Sequence, residues 1–117
     1  MKQAVVAGVR TFEIQDADVP QPAAGEVLIR IKAFGLNRSE LFTRQGMSPN
    51  VKFPRVLGIE ASGIVAAAPG GEFAPGTTVL TAMGGMGRDF DGGYAEYTLV
   101  PSRHVQAVVT QVSWETL

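Results

Sequence analysis

Glu26-Val27-Leu28-Ile29-Arg30-Ile31-Lys32-Ala33-Phe34 reads with a period of two. Val27, Ile29, Ile31 and Ala33 fall on one face, and Arg30 and Lys32 on the other. Successive side chains on a strand point to opposite faces, so the segment predicts a β-strand with one dry and one wet side. Ala24-Gly25 turns the chain into it, and Pro20-Gln21-Pro22 breaks any ladder before it, because proline has no N–H to donate.

The same grammar repeats outward in both directions. Ala4 to Val9 predicts a short strand, and Phe12 to Val19 a weaker one. Phe53 to Gly58 is a bend. Ser62 to Ala68 is an apolar strand stopped by Pro69-Gly70-Gly71. After the Pro75-Gly76 turn, Thr77 to Ala82 is β-branched and strand-like. Gly84 to Gly93 holds five glycines and predicts a flexible surface loop. Tyr94 to Val100, ended by Pro101, and Val105 to Val109 complete the strands. Asn37 to Gln45 interrupts them. Asn37 suits an N-cap, Glu40 follows three residues later as in a capping box, and Gly46 suits the position after the C-cap, so a helix of about two turns is expected. Six or so short strands with one or two short helices, and 14 Gly with 7 Pro, predict a mainly β, partly open barrel.

The 117 residues fit one domain. A net charge of −1 offers no basic footprint for nucleic acid and no polybasic membrane patch. No apolar run approaches the roughly 18 residues of a membrane span, and the first residues lack a leader pattern, so a cytoplasmic domain is expected. Having no cysteine excludes disulfides, thiolate metal sites and a Cys nucleophile. His104, the one histidine, reads as an ordinary edge residue. Gly85-Met86-Gly87 opens like a dinucleotide fingerprint, but its third position is Phe90 and a strand follows where a helix is needed. Ser113 suits an N-cap, and Trp114 to Leu117 read as the first turn of a helix. Residues 1–112 are therefore expected to be the domain, and 113–117 the start of a linking helix.

Four segments carry a family resemblance. Gly35-Leu36-Asn37-Arg38-Ser39-Glu40-Leu41-Phe42-Thr43-Arg44-Gln45-Gly46 resembles the G-(V/L)-N-x-x-(D/E)-x-x-x-R-x-G segment of medium-chain dehydrogenase/reductases, in their zinc-independent quinone oxidoreductase branch. Pro54 to Val65 looks like that family's P-x-x-(L/P)-G-x-E-x-x-G-x-V element. Gly92-Gly93-Tyr94-Ala95-Glu96-Tyr97 with Val100-Pro101 resembles its G-G-(F/Y)-A-E-Y…V-P strand, and Glu26 to Ile31 its E-V-L-(I/V)-(R/K)-(I/V) strand. Trp114-Glu115-Thr116-Leu117 is similar to its W-E-x-(A/L) helix start.

The resemblance implies the N-terminal GroES-like catalytic domain of a two-domain reductase, incomplete and inactive without its dinucleotide-binding domain. It implies NADPH as cofactor in the full-length enzyme, none bound to this part, and a small quinone or enone as substrate. Zinc members carry Cys where Asn37 stands and His where Ile59 stands, so the resemblance implies no zinc. It places Asn37 beside the nicotinamide ribose and substrate, with the cap using its side-chain oxygen and leaving the NH2 group free. Phe42 would wall the cleft, since the family's Tyr there is absent, and Ser48 or solvent would donate the proton. Arg44 would attract cofactor phosphates. Glu60 would edge the substrate site, paired with a cation such as Arg44. Tyr94 to Tyr97 would be strand packing. A stand-alone GroES-like binding module and part of a zinc alcohol dehydrogenase are the alternatives. Bare apolar surface and free β-edges imply a homodimer or higher oligomer.

Overall fold

The computed structural model describes residues 1–46, 51–114 and 116, with position 42 by its backbone alone. Among these residues the chain runs β1 (Lys2–Gly8), β2 (Thr11–Asp16), β3 (Glu26–Ala33), α1 (Arg38–Arg44), β4 (Arg55–Val56), β5 (Glu60–Ala67), β6 (Thr78–Ala82), β7 (Tyr97–Pro101), a 3₁₀ turn (Ser102–His104) and β8 (Val105–Ala107). The fold is mainly β, as the strand and turn pattern predicts.

β2, β1 and β4 form one antiparallel sheet, and β7, β3, β5, β6 and β8 form the other in that order. The two are stitched at one edge. Ala4 donates its N–H to the Tyr94 carbonyl at 2.7 Å, Glu96 donates to the Lys2 carbonyl at 3.1 Å, and Ile31 donates to the Glu96 carbonyl at 2.8 Å. The stretch before β7 therefore bridges β1 and β3, which curls the sheets into a half-barrel.

The dry face of β3 lies where its alternation places it as far as Ile31, but a register shift then sets Ala33 opposite Ser62, on the other face from the one expected. Val27 and Ile29 are fully buried, and with Ala61, Val65, Val79, Met86 and Val100 they form the core, with Ile31 packed against it. Arg30 and Lys32 are exposed. Pairing Ile29 with Val65 and Val27 with Val100 fixes the register. A one-residue slip would move every apolar side chain to the wrong face.

Three expectations need correction. Gly84 to Gly93 is not a surface loop. Met86 is in the core, Gly87, Gly92 and Gly93 are buried, and Gly87 donates its N–H to the Phe90 carbonyl at 2.9 Å. The glycines serve close backbone packing: a Cβ on Gly87 would lie 2.7 Å from the Gly58 carbonyl oxygen, and one on Gly58 would lie 2.6 Å from the Gly93 nitrogen. Tyr94 does not pack within a strand. It precedes β7, and its ring lies 4.9 Å from that of Phe34. The expected bend at Phe53 to Gly58 contains β4, whose Val56 pairs with Val5. The helix is close to expectation and ends as Gly46 implied, at φ +79° with its N–H on the Thr43 carbonyl. Ser113 and Thr116 close a turn through a 3.1 Å backbone bond, while Glu115 and Leu117 lie outside the described residues.

Candidate active site

In the five-stranded sheet, Ala33 pairs with Ser62, Ser62 with Leu80, and Leu80 with Gln106. Directly opposed residues share a face. Glu60, paired with Ala82, is two residues from Ser62 and so joins the same face. Ala61, Val65 and Val79 occupy the alternate positions and fill the core. The face turned away from the core thus carries Glu60, Ser62, Leu80, Ala82 and Gln106. It forms the floor of an open cleft of about 640 Å³, to which Phe34, Gly35, His104 and Trp114 also contribute.

Glu60 reaches this cleft because of two glycines. Gly58 takes φ +108°, a conformation that side chains rarely adopt, and turns the chain into β5. Gly35 leaves open the space that the Glu60 carboxylate enters, for a Cβ there would collide with Glu60 Oε1 and lie 3.5 Å from Asn37 Nδ2. The Glu60 carboxylate and the Asn37 amide therefore both lie close to Gly35. Asn37 stands behind Gly35 and is not among the residues lining the cleft.

Glu40 organises this region. It is 4% exposed, and its carboxylate accepts from three separate segments. Oε2 takes the Asn37 backbone N–H at 3.2 Å and the Tyr94 hydroxyl. Oε1 takes Asn37 Nδ2 at 3.2 Å and the Ile59 backbone N–H at 3.2 Å. Only the Glu half of the capping box forms: the Glu40 N–H bonds the Asn37 backbone carbonyl, not its side-chain oxygen. The expectation that the Asn37 NH2 stays free is corrected accordingly. One of its two hydrogens goes to Glu40.

The expected site residues divide. Asn37 and Glu60 come together beside Gly35, Glu60 lining the cleft and Asn37 outside that lining. Arg44 does not join them. It is exposed in the last turn of α1, while Glu60 lies near the opposite end of the helix. Among the described residues the ion pairs are Lys2–Asp16 and Arg55–Asp91, so Glu60 is not paired with Arg44 as expected. The Phe42 side chain and all of Ser48 lie outside the described residues. His104 is more than an edge residue: its imidazole packs against Gly84, its Nδ1 is buried without a partner, and it borders the cleft. Glu40 and Tyr94 were missed as site residues. The Asn-x-x-Glu spacing flagged Glu40 only as a cap, and its contact with Tyr94, 54 positions away, has no local signature.

The donor set does not fit zinc. There is no cysteine, and among the described residues no three of His, Asp and Glu converge. Glu60 and His104 are the carboxylate and imidazole on the cleft.

Comparison with known proteins places these features in context. Residues 23–110 match the alcohol dehydrogenase GroES-like domain. A zinc-type alcohol dehydrogenase-like protein of Schizosaccharomyces pombe is 32% identical over 92% of the chain, which covers 33% of that protein. A crystal structure of an alcohol dehydrogenase superfamily protein from Novosphingobium aromaticivorans superposes with a TM-score of 0.88 at 29% identity, over 97% of this chain and 36% of that one. A quinone oxidoreductase from Pseudomonas syringae superposes with a TM-score of 0.83 at 28% identity, over 97% of this chain and 35% of that one. The chain spans about a third of the length of these relatives.

Proposed function

Because the chain belongs to the alcohol dehydrogenase GroES-like domain family, within the medium-chain dehydrogenase/reductases, we propose that it is the catalytic-domain portion of an NADPH-dependent, zinc-independent quinone or enone reductase. The dinucleotide-binding domain of that enzyme lies outside these 117 residues. One observation carries the reading: Asn37 and Ile59 stand where zinc members of the family carry sulfur and imidazole, and the Asn37 amide lies next to Gly35 close to the Glu60 carboxylate of the cleft. The likeness to the Pseudomonas syringae quinone oxidoreductase supports it. The zinc-type relative supports only the broader oxidoreductase assignment.

The residues suit a reaction without a Lewis acid. When bound, the nicotinamide supplies a hydride. The hydride adds to the β-carbon of an enone or to a quinone, and the electron pair of the reduced π-system moves onto the carbonyl oxygen. That oxygen needs a hydrogen-bond donor and then a proton. The uncommitted Asn37 N–H is the donor, and Ser48 or solvent returns the proton. The other N–H, held by Glu40, keeps the amide from turning its oxygen toward the developing charge. Glu60 borders the substrate, Phe42 walls the cleft, and exposed Arg44 attracts the cofactor phosphates by long-range charge alone. On this reading the enzyme works in the cytoplasm.

The test is the kinetics of Asn37→Ala in the whole protein. Loss of one preorganised donor to a developing oxyanion costs about 10² in kcat. A fall of that order in kcat is expected. Wild-type kcat in Asn37→Ala would remove Asn37 from the chemistry.

A further inference from the structure

We propose that Glu40 is the positioning residue of this site, holding the Asn37 amide in the orientation that presents its second N–H to the substrate. The catalytic meaning of this role rests on the reading of Asn37 above; the positioning itself does not.

Burying a carboxylate is costly unless hydrogen bonds replace its water. Glu40 is buried in the first turn of a seven-residue helix, and it is satisfied by four donors, two on each oxygen. An exposed cap would need one. The extra donors come from three separate stretches of chain: the Asn37 side chain, the Ile59 N–H in the turn that delivers Glu60, and the Tyr94 hydroxyl ahead of β7. Tyr94 is itself fixed by Phe34, a residue of the cleft wall. A single carboxylate thus ties the donor, the carboxylate-bearing turn and the wall to one point. Small errors in the position of a catalytic donor cost large factors in rate, so such a tie has kinetic value beyond stability.

The chemistry is specific to a carboxylate. Glutamine offers an acceptor on one side and an NH2 group on the other, so in Glu40→Gln two of the four donors must face a donor. Tyr94 can turn to accept, but the Asn37 or Ile59 N–H groups cannot.

The first experiment needs no catalysis. NMR of the 117-residue chain, labelled with ¹⁵N and ¹³C, reads the Asn37 side-chain amide directly. One of its protons is expected to exchange with solvent at least about tenfold more slowly than a free amide, and to show a through-bond coupling to the Glu40 carboxylate carbon. Glu40→Ala, which removes both acceptor oxygens, is expected to abolish both while amides of β3 and β5 keep their positions. If Glu40→Ala does not fold, the wild-type coupling and Tyr94→Phe still decide the matter. Tyr94→Phe is expected to leave the Asn37 coupling in place. Absence of the coupling and of slow exchange in the wild type, or their survival in Glu40→Ala, would overturn the proposal. The second experiment is kinetic. In the whole protein, Glu40→Gln should lower kcat by about tenfold or more with little change in KM, and Glu40→Asp should recover part of the loss. Parallel loss of stability with unchanged kcat would reduce Glu40 to a structural cap and overturn its kinetic role. An inert Asn37→Ala beside an intact wild-type coupling would instead overturn the catalytic reading of Asn37.

Discussion

At Gly35 a single methyl group separates the site from the fold. A Cβ there would strike the end of the Glu60 side chain, a flexible group that can swing away. Gly35→Ala should therefore change stability by less than about 1 kcal/mol, well below the 1–3 kcal/mol of overpacking in a rigid core. It should still displace the carboxylate and lower kcat/KM for quinones in the whole protein; thermal melts alongside steady-state kinetics check this. Tyr94→Phe removes one charge-assisted bond to Glu40, and denaturant titration should show a loss of about 1.5–3 kcal/mol. At this scale the sequence is legible only where partners are near in the chain. Asn37 and Glu40 are three residues apart, so their contact is readable as a cap. Tyr94 and Ile59 reach the same carboxylate only after the sheets have formed, and no local pattern announces that.

Among the elements, β3 shows what periodicity captures, since its alternation and its dry face as far as Ile31 follow from Glu26 to Ala33. The glycine-rich segment shows what it misses. Clustered glycines read as flexibility from composition, yet Gly58, Gly87, Gly92 and Gly93 are there so that backbones can touch. Burial of that kind depends on which loop faces which, a tertiary fact. The difference is measurable. Gly58→Ala combines φ +108° with a backbone clash and should destabilise by more than about 2 kcal/mol, whereas a Cβ on Gly8 meets nothing within 4 Å and Gly8→Ala should be nearly neutral. Paired urea titrations of the two variants decide between packing and flexibility. Equal midpoints would restore the flexible-loop reading.

For the whole molecule, the half-barrel leaves apolar groups bare. Ile14 is 69% and Leu36 80% exposed, and among the described residues β2 is an edge strand. Exposed apolar surface beside free edge strands favours association. The 117-residue chain is expected to form dimers or larger species in light scattering, and Ile14→Lys should weaken them; a monodisperse monomer would contradict this. The mainly β architecture was readable because turns and alternation recur along the whole chain. The cleft was not, because its floor is the outward face of four strands whose pairing no single segment encodes.

Zinc-independent reduction is the central claim, and metal-stripped turnover tests it most directly. The whole protein, dialysed against a strong chelator and shown by elemental analysis to hold no stoichiometric zinc, should oxidise NADPH with 1,4-naphthoquinone or an enone at its undialysed rate. Failure to turn over any quinone or enone, or activity that disappears with the metal and returns with added zinc, would contradict it.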